Sequence, residues 1–275
     1  MATQQIVQSL TYVTWALLGA LALGSLAMAW LLRQFTDATG GFLAFTAEMA
    51  SVLGLLWLLT ELSLPPPTDL AIGISTDLDE ARRAAIALFA ILALVCGLRF
   101  GRGHAARWLG LSAIASGVAA MGIAAYGWAV GAPLAMPLLV ELLAFSAVAG
   151  GSLAAVVLAH WYLVTPRLSE RPLIVVAAVL AWSLTIQILL FVTWQVVAIE
   201  GGGPFESLTG PNALLIWLRL AIGLIFPLVL ALMAYRTALT RSMESATGLL
   251  YIEFAAVLAS TIVAAGLMFA EGILV

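Results

Sequence analysis

Long apolar runs alternate with short polar loops along the whole of this 275-residue chain. A helix needs about 20 apolar residues to cross the roughly 30 Å hydrocarbon core of a bilayer. In lipid, each backbone polar group of a span must be satisfied within its own helix. The pattern therefore predicts an all-α integral membrane protein, a single domain over residues 1–275 that forms a bundle of eight transmembrane helices. The predicted spans are residues 10–32, 42–62, 84–100, 106–130, 134–164, 173–199, 212–236 and 247–270.

Composition agrees with a membrane domain. Apolar residues make up 64% of the chain and charged residues 9%, whereas a soluble domain carries about 25% charged residues. The net charge of −3 is too small to indicate a nucleic-acid partner, and the single cysteine, Cys96, excludes a disulfide framework within the chain. The N-terminus lacks a basic region and a cleavage site, so we expect a retained first span.

Arginines are concentrated in alternate loops, which all lie on the same side of the predicted spans. By the positive-inside rule the side that carries these arginines is cytoplasmic. We therefore expect a multi-pass protein of a bacterial cytoplasmic (inner) membrane, with both termini on the outer, periplasmic side. Arg82 and Arg83 depart from this pattern, and we expect the preceding DLDE segment to neutralise them. The arginines on the cytoplasmic side are Arg33, Arg99, Arg102, Arg107, Arg167, Arg171, Arg236 and Arg241.

Four charged residues lie well inside the ends of the predicted spans, where charge is expensive and usually faces the protein interior. Glu141 and Arg219 both fall in the outer half, so we expect them to form an ion pair. A backbone carbonyl, Gln195 or a ligand anion are the alternative partners of Arg219. Glu48 and Glu253 fall at similar depths in the cytoplasmic half.

Small residues follow the glutamates of spans 2, 5 and 8 at helical spacing, as in AEMASVLG, VELLAFSAVAGG and IEFAAVLAS. Small residues let helices approach closely, so we expect these three carboxylates to meet between the helices. The spacing is also what an inverted repeat would give. Glu61 and Glu271, near the outer span ends, are expected to reach water.

The segment AHWYLVTPRLSERP places His160 and Tyr162 near the cytoplasmic end of span 5. A histidine at this depth could bond a quinone carbonyl, relay a proton or ligate haem; a hydrogen bond to a neighbouring helix is the structural alternative. His104 is the other histidine, so a haem b held by His104 and His160 is geometrically allowed. Glu48, Glu253 and His160 are suitable ligand types for iron or manganese. No Glu-x-x-His pair occurs, however, and we predict no metal site.

The segment ALLIWLRLAIGLIFP, with Arg219 early in span 7 and Glu253 in the final span, resembles the last two helices of the DmsC and NrfD type of integral membrane anchor subunits. These subunits belong to respiratory molybdoenzyme complexes. The resemblance implies quinol binding, with electrons passed to an iron–sulfur partner, and it carries over only Arg219 and Glu253. Unlike those anchors, this chain has no arginine in its last span.

The sequence therefore favours a membrane-embedded subunit of a respiratory or redox complex that binds quinone or a haem and handles protons. It is not expected to be catalytic alone and would need extrinsic or integral partner subunits that carry redox centres. His160 and Tyr162 would bond the head group, and Glu48 or Glu253 would exchange protons. Two alternatives remain open: a secondary, proton-coupled transporter, suggested by the possible repeat and by Pro227 in span 7, and a purely structural subunit of a larger assembly.

Overall fold

A computed structural model describes residues 2–66, 70–99, 105–129, 132–165, 168–199 and 203–275. Within these ranges the regular secondary structure is helical, apart from one isolated parallel bridge between Phe205 and Leu274. The helices are α1 (Ala2–Phe35), α2 (Gly40–Leu62), α3 (Asp79–Arg99), α4 (Ala105–Trp128), α5 (Ala132–Phe145), α6 (Gly151–Val164), α7 (Arg171–Ile199), α8 (Ala213–Leu220), α9 (Phe226–Leu239) and α10 (Met243–Gly266).

Eight helical spans in the described ranges are long and apolar enough to cross a membrane, as the sequence predicts. They fit a multi-pass integral membrane protein. Three of them contain a π-helical turn: span 5 joins α5 to α6 through residues 146–150, span 7 joins α8 to α9 through 221–225, and span 8 extends α10 through 267–271. The third span begins at Asp79 rather than at 84, because Asp79 and Glu80 occupy a favourable first turn.

The two ends of the bundle differ in charge. At one end, which we call the arginine-rich end, the Trp30 indole donates to the Arg107 carbonyl at 3.0 Å, and Arg241 pairs with Glu170 at 3.1 Å. The opposite end is covered by loops, and we call it the loop-capped end. There the Ser75 amide donates to the Gly127 carbonyl at 2.8 Å, and the C-terminal segment bonds to the loop before α8 through Leu274 and Pro204.

Span 5 and α1 form the centre of the bundle, and they cross at nearly direct backbone contact. A Cβ atom on Gly24 would lie 1.7 Å from the Ser146 carbonyl oxygen, and one on Gly150 would lie 2.4 Å from the Ala20 oxygen. Only glycine permits this approach. The π-helical turn of span 5 lies at the crossing, so the residues that follow it are held firmly in place.

Candidate functional site

Helices α6 and α10 pack antiparallel, and side-chain contacts follow their interface inward from the arginine-rich end. We call this interface the α6–α10 seam. At its exposed end the Tyr251 hydroxyl lies 3.4 Å from Nδ1 of His160. Next to it, the Thr247 hydroxyl lies 3.2 Å from the Ala159 carbonyl oxygen across the seam and 2.8 Å from the Met243 carbonyl oxygen of its own helix, so its one proton is shared between two acceptors. These contacts fix the register of the two helices.

The carboxyl group of Glu253 lies at the buried end of the seam. The Ser152 hydroxyl donates to Oε1 of Glu253 at 2.8 Å, and Glu253 is fully buried. Ser152 is positioned by the glycine-rich crossing and the π-helical turn just before it; such turns occur frequently at functional sites. The sequence singles out Glu253, but nothing in it distinguishes Ser152 from the many other small residues.

The second oxygen of Glu253, Oε2, is buried and accepts no hydrogen bond within the described part of the chain. An ionised carboxylate buried without a cation carries a large desolvation penalty. A neutral carboxylic acid avoids that penalty, and it bears its proton on one of its two oxygens. Because Oε1 already accepts from Ser152, Oε2 is the oxygen suited to hold the proton.

His160 and Tyr162 point in different directions. His160 is exposed, whereas Tyr162 is buried and its hydroxyl donates to the Ser169 carbonyl. Residues two apart on a helix lie on nearly opposite faces because each residue turns the helix by about 100°. The expectation that both side chains bond one head group is therefore wrong, and Tyr251 takes the place beside His160. Little in the sequence points to Tyr251, which lies in a different span.

Glu141 and Arg219 form the expected ion pair, with Nη2 of Arg219 3.3 Å from Oε1 of Glu141. Both side chains are buried. The Arg219 guanidinium also donates to the Ser260 hydroxyl at 2.7 Å and lies 5.4 Å above the Phe145 ring. Gln195, one alternative partner, instead donates to the Glu206 carbonyl at 3.0 Å. The pair therefore ties span 5 to spans 7 and 8.

The three glutamates of spans 2, 5 and 8 do not meet. Glu141 and the Ser152 that binds Glu253 are eleven residues apart on span 5 (141 to 152), which corresponds to about 16 Å along a helix. Glu48 packs against Gly97 of α3 instead. The expected convergence is wrong because each glutamate faces a different neighbouring helix.

The charge network at the loop-capped end was predicted only in part, since Asp79 of the DLDE segment pairs with Arg82 and Arg83 as expected but Glu61 is an unexpected partner. Nε and Nη2 of Arg82 bond the two carboxylate oxygens of Glu61 at 2.9 and 2.8 Å, and the Trp15 indole donates to Glu61 at 2.7 Å. Arg82 also pairs with Asp79 at 2.8 Å. Glu61 is 1% exposed, so the expectation that it reaches water is wrong, while Glu271 is exposed as expected. Arg82 was the arginine that broke the loop pattern, and that departure was the available signal.

Aromatic rings surround this network. The Trp15 ring lies 4.5 Å from that of Trp128 and 5.1 Å from that of Trp57, and the Arg82 guanidinium lies 4.9 Å above the Trp128 ring. Tyr12 contacts Trp128 edge-on at 5.5 Å. These tryptophans are fully buried packing residues, and the cluster excludes water from the ion pair.

Over the described ranges, no three His, Cys, Asp or Glu side chains come together in a way that could hold a metal ion. The set Glu48, Glu253 and His160 is therefore not a cluster. His104 lies outside the described residues, so its pairing with His160 stays a prediction.

Comparison with protein-family models, with curated proteins and with solved structures finds no match for this chain. A function must therefore be inferred from the geometry of the α6–α10 seam and its surroundings.

Proposed function

We propose that this chain is a membrane-embedded subunit of a respiratory or redox complex that binds a quinone head group at the exposed end of the α6–α10 seam and exchanges its protons through Glu253. The single observation that carries the proposal is the seam itself. Its two helices carry an exposed pair of polar side chains, His160 and Tyr251, and a fully buried acid, Glu253, one oxygen of which accepts no hydrogen bond from the described residues.

The exposed end of the seam fits a quinone in its chemistry. A quinone carbonyl accepts hydrogen bonds, and both the imidazole and the phenol can donate one. His160 and Tyr251 are exposed beside large apolar residues such as Ile252, so a head group could reach them from the bilayer without entering the bundle. The imidazole can also take up a proton when a quinol is oxidised.

Glu253 is suited to receive the proton after His160. It lies two residues from Tyr251 on α10 but on the buried face, and its free oxygen can hold a proton without a counter-ion. The electrons of the quinol would pass to a partner subunit that carries redox centres, as in the DmsC and NrfD type of anchors that spans 7 and 8 resemble. By the positive-inside rule, the arginine-rich end and the exposed end of the seam face the cytoplasm.

The proposal is tested on protein purified from membranes together with whatever accompanies it. Organic extraction should yield quinone, and a visible spectrum reports any haem. Titration with a fluorescent quinol-site inhibitor should show weakened binding for His160→Ala and Tyr251→Phe. Tyr162→Phe is the matched control, because it removes a nearby phenol that faces away from the seam. Unchanged inhibitor binding in both seam variants would exclude the head-group site.

A second candidate function is proton-coupled transport. Its supporting observation is the π-helical turns of spans 5 and 7. Residues 146–150 lie between Glu141 and Ser152, and residues 221–225 begin two residues after Arg219. Interrupted helices beside buried polar groups are typical of transporter binding sites. Proton uptake by reconstituted vesicles without any redox partner, abolished by Glu253→Gln, would favour transport over the redox proposal.

A further inference from the structure

Glu48 differs from the other acids of the spans in its exposure. It is the ninth residue of α2, about 12 Å along the helix from Gly40 at the arginine-rich end. Glu141 and Glu253 are 2% and 0% exposed, whereas Glu48 is only half-buried. Glu48 therefore lies at membrane depth with part of its side chain open to its surroundings.

Charged groups on the neighbouring helices include Arg99, two residues after Gly97 on α3, and Arg33 in the last turn of α1. Across the described ranges, no arginine or histidine lies within ion-pair distance of the Glu48 carboxylate. On the side of α3 Glu48 meets Gly97, where a Cβ atom would lie 2.8 Å from Cγ of Glu48. Gly97 thus makes room for the side chain but offers no side-chain donor to it.

The flanking residues show what the open side faces. Phe45 and Val52 lie one turn to either side of Glu48 on α2 and are 48% and 58% exposed. Large apolar side chains with this exposure contact lipid in a membrane protein. A charged side chain costs about 2.5–3.5 kcal/mol at the centre of a membrane helix, and the neutral acid avoids this penalty.

We propose that Glu48 is a second proton-binding site, one that opens to the lipid between α2 and α3 and is separate from the sealed acid Glu253. Glu48 would carry its proton as a carboxylic acid within reach of the bilayer. The inference holds whether or not the seam binds quinone, since it depends only on the position and surroundings of Glu48.

A lipid-soluble carbodiimide tests the proposal directly. The carboxyl oxygen bonds to the central carbon of dicyclohexylcarbodiimide while the acid proton moves to one nitrogen, and the adduct rearranges to a stable N-acylurea. The full chain is reconstituted in phosphatidylcholine vesicles, treated with this reagent, digested and analysed by mass spectrometry. We expect the adduct on Glu48 and none on Glu141 or Glu253, which no reagent can reach without unfolding.

Matched samples make the result specific. Glu48→Gln should lose the adduct, and Glu253→Gln should retain it, with helix content and elution volume of both variants equal to those of the parent. A water-soluble carbodiimide with glycine ethyl ester, present on both sides of the membrane, should leave Glu48 unmodified. An absent adduct, an equal adduct on Glu253, or equal modification by the water-soluble reagent would each overturn the proposal. None of these outcomes bears on inhibitor binding at His160, so the two proposals fail separately.

Discussion

The loop-capped end and the α6–α10 seam each bury a glutamate, but they treat its charge in opposite ways. Glu61 accepts two hydrogen bonds from Arg82 and one from the Trp15 indole, so both of its carboxylate oxygens have donors. Glu253 receives one bond, from the Ser152 hydroxyl, and its second oxygen accepts none in the described part of the chain. The two regions thus contain the same functional group in a compensated and an uncompensated state.

This difference separates an acid that stabilises the fold from an acid that can exchange a proton. A buried ion pair with filled hydrogen bonds is strongly damaged when one partner is removed, because the other charge is left uncompensated. A buried acid without a cation can exist neutral, and it is then free to gain and lose a proton. Glu141 lies between these cases, since a single 3.3 Å contact joins it to Arg219. The comparison predicts a graded series of effects.

The largest effect on stability is expected at Arg82. Arg82→Ala leaves the carboxylate of Glu61 buried without its cation, and it should lower the free energy of unfolding by about 3–5 kcal/mol. Thermal unfolding in detergent or the yield of folded protein measures this loss. Arg83→Ala is the control, because Arg83 is 40% exposed and contacts Glu61 only at 3.7 Å; its effect should stay below about 1 kcal/mol. Equal losses in the two variants would contradict the compensated network.

Glu141→Gln should have an intermediate effect. The amide can still accept a bond from Arg219, but the buried guanidinium loses its counter-charge, so we expect a loss of about 1–3 kcal/mol. A double-mutant cycle with Arg219→Gln measures the coupling between the two side chains. A stable Glu141→Gln protein that has lost its proton-linked activity would show that the pair is functional and not only structural.

Gly223→Ala tests the packing around the same ion pair. A Cβ atom at this position would lie 1.9 Å from the Ser260 hydroxyl oxygen, which Arg219 needs as an acceptor. Either Ser260 or the π-helical turn must shift, and we expect a loss of about 1–3 kcal/mol. Thermal unfolding measures it, with Gly122→Ala as the control, since no atom lies within 4 Å of a Cβ there.

The smallest effect on stability is expected at Glu253. Glu253→Gln keeps an acceptor for Ser152 but replaces the acid O–H by an amide NH2, which adds one buried donor, so the free energy of unfolding should fall by only about 1 kcal/mol. Proton uptake or release during turnover, measured with a pH indicator dye, should nevertheless be lost. A large loss of stability with retained proton release would assign Glu253 to the structural class.

Hydropathy and residue counts sufficed to predict the spans, and depth sufficed to pair Glu141 with Arg219. Both predictions rest on distance along the membrane normal, which the rise of a helix fixes residue by residue. The prediction that three glutamates meet failed because the rotation of each helix about its axis depends on its neighbours. The grouping of His160 with Tyr162 failed for a different reason, because residues two apart on one helix lie on nearly opposite faces; only the packing of α6 against α10 places Tyr251 beside His160.

The sequence by itself thus determined that the described part of the chain forms eight membrane-length helices, because an apolar stretch in lipid must satisfy its backbone within its own helix. Only the tertiary structure decided which acids are compensated. Glu61 at the end of α2 meets Arg82 at the start of α3, and Glu253 meets Ser152 because glycines let α1 and span 5 touch. Partners of this kind depend on helix rotation and close packing, which arise only when all the helices are assembled.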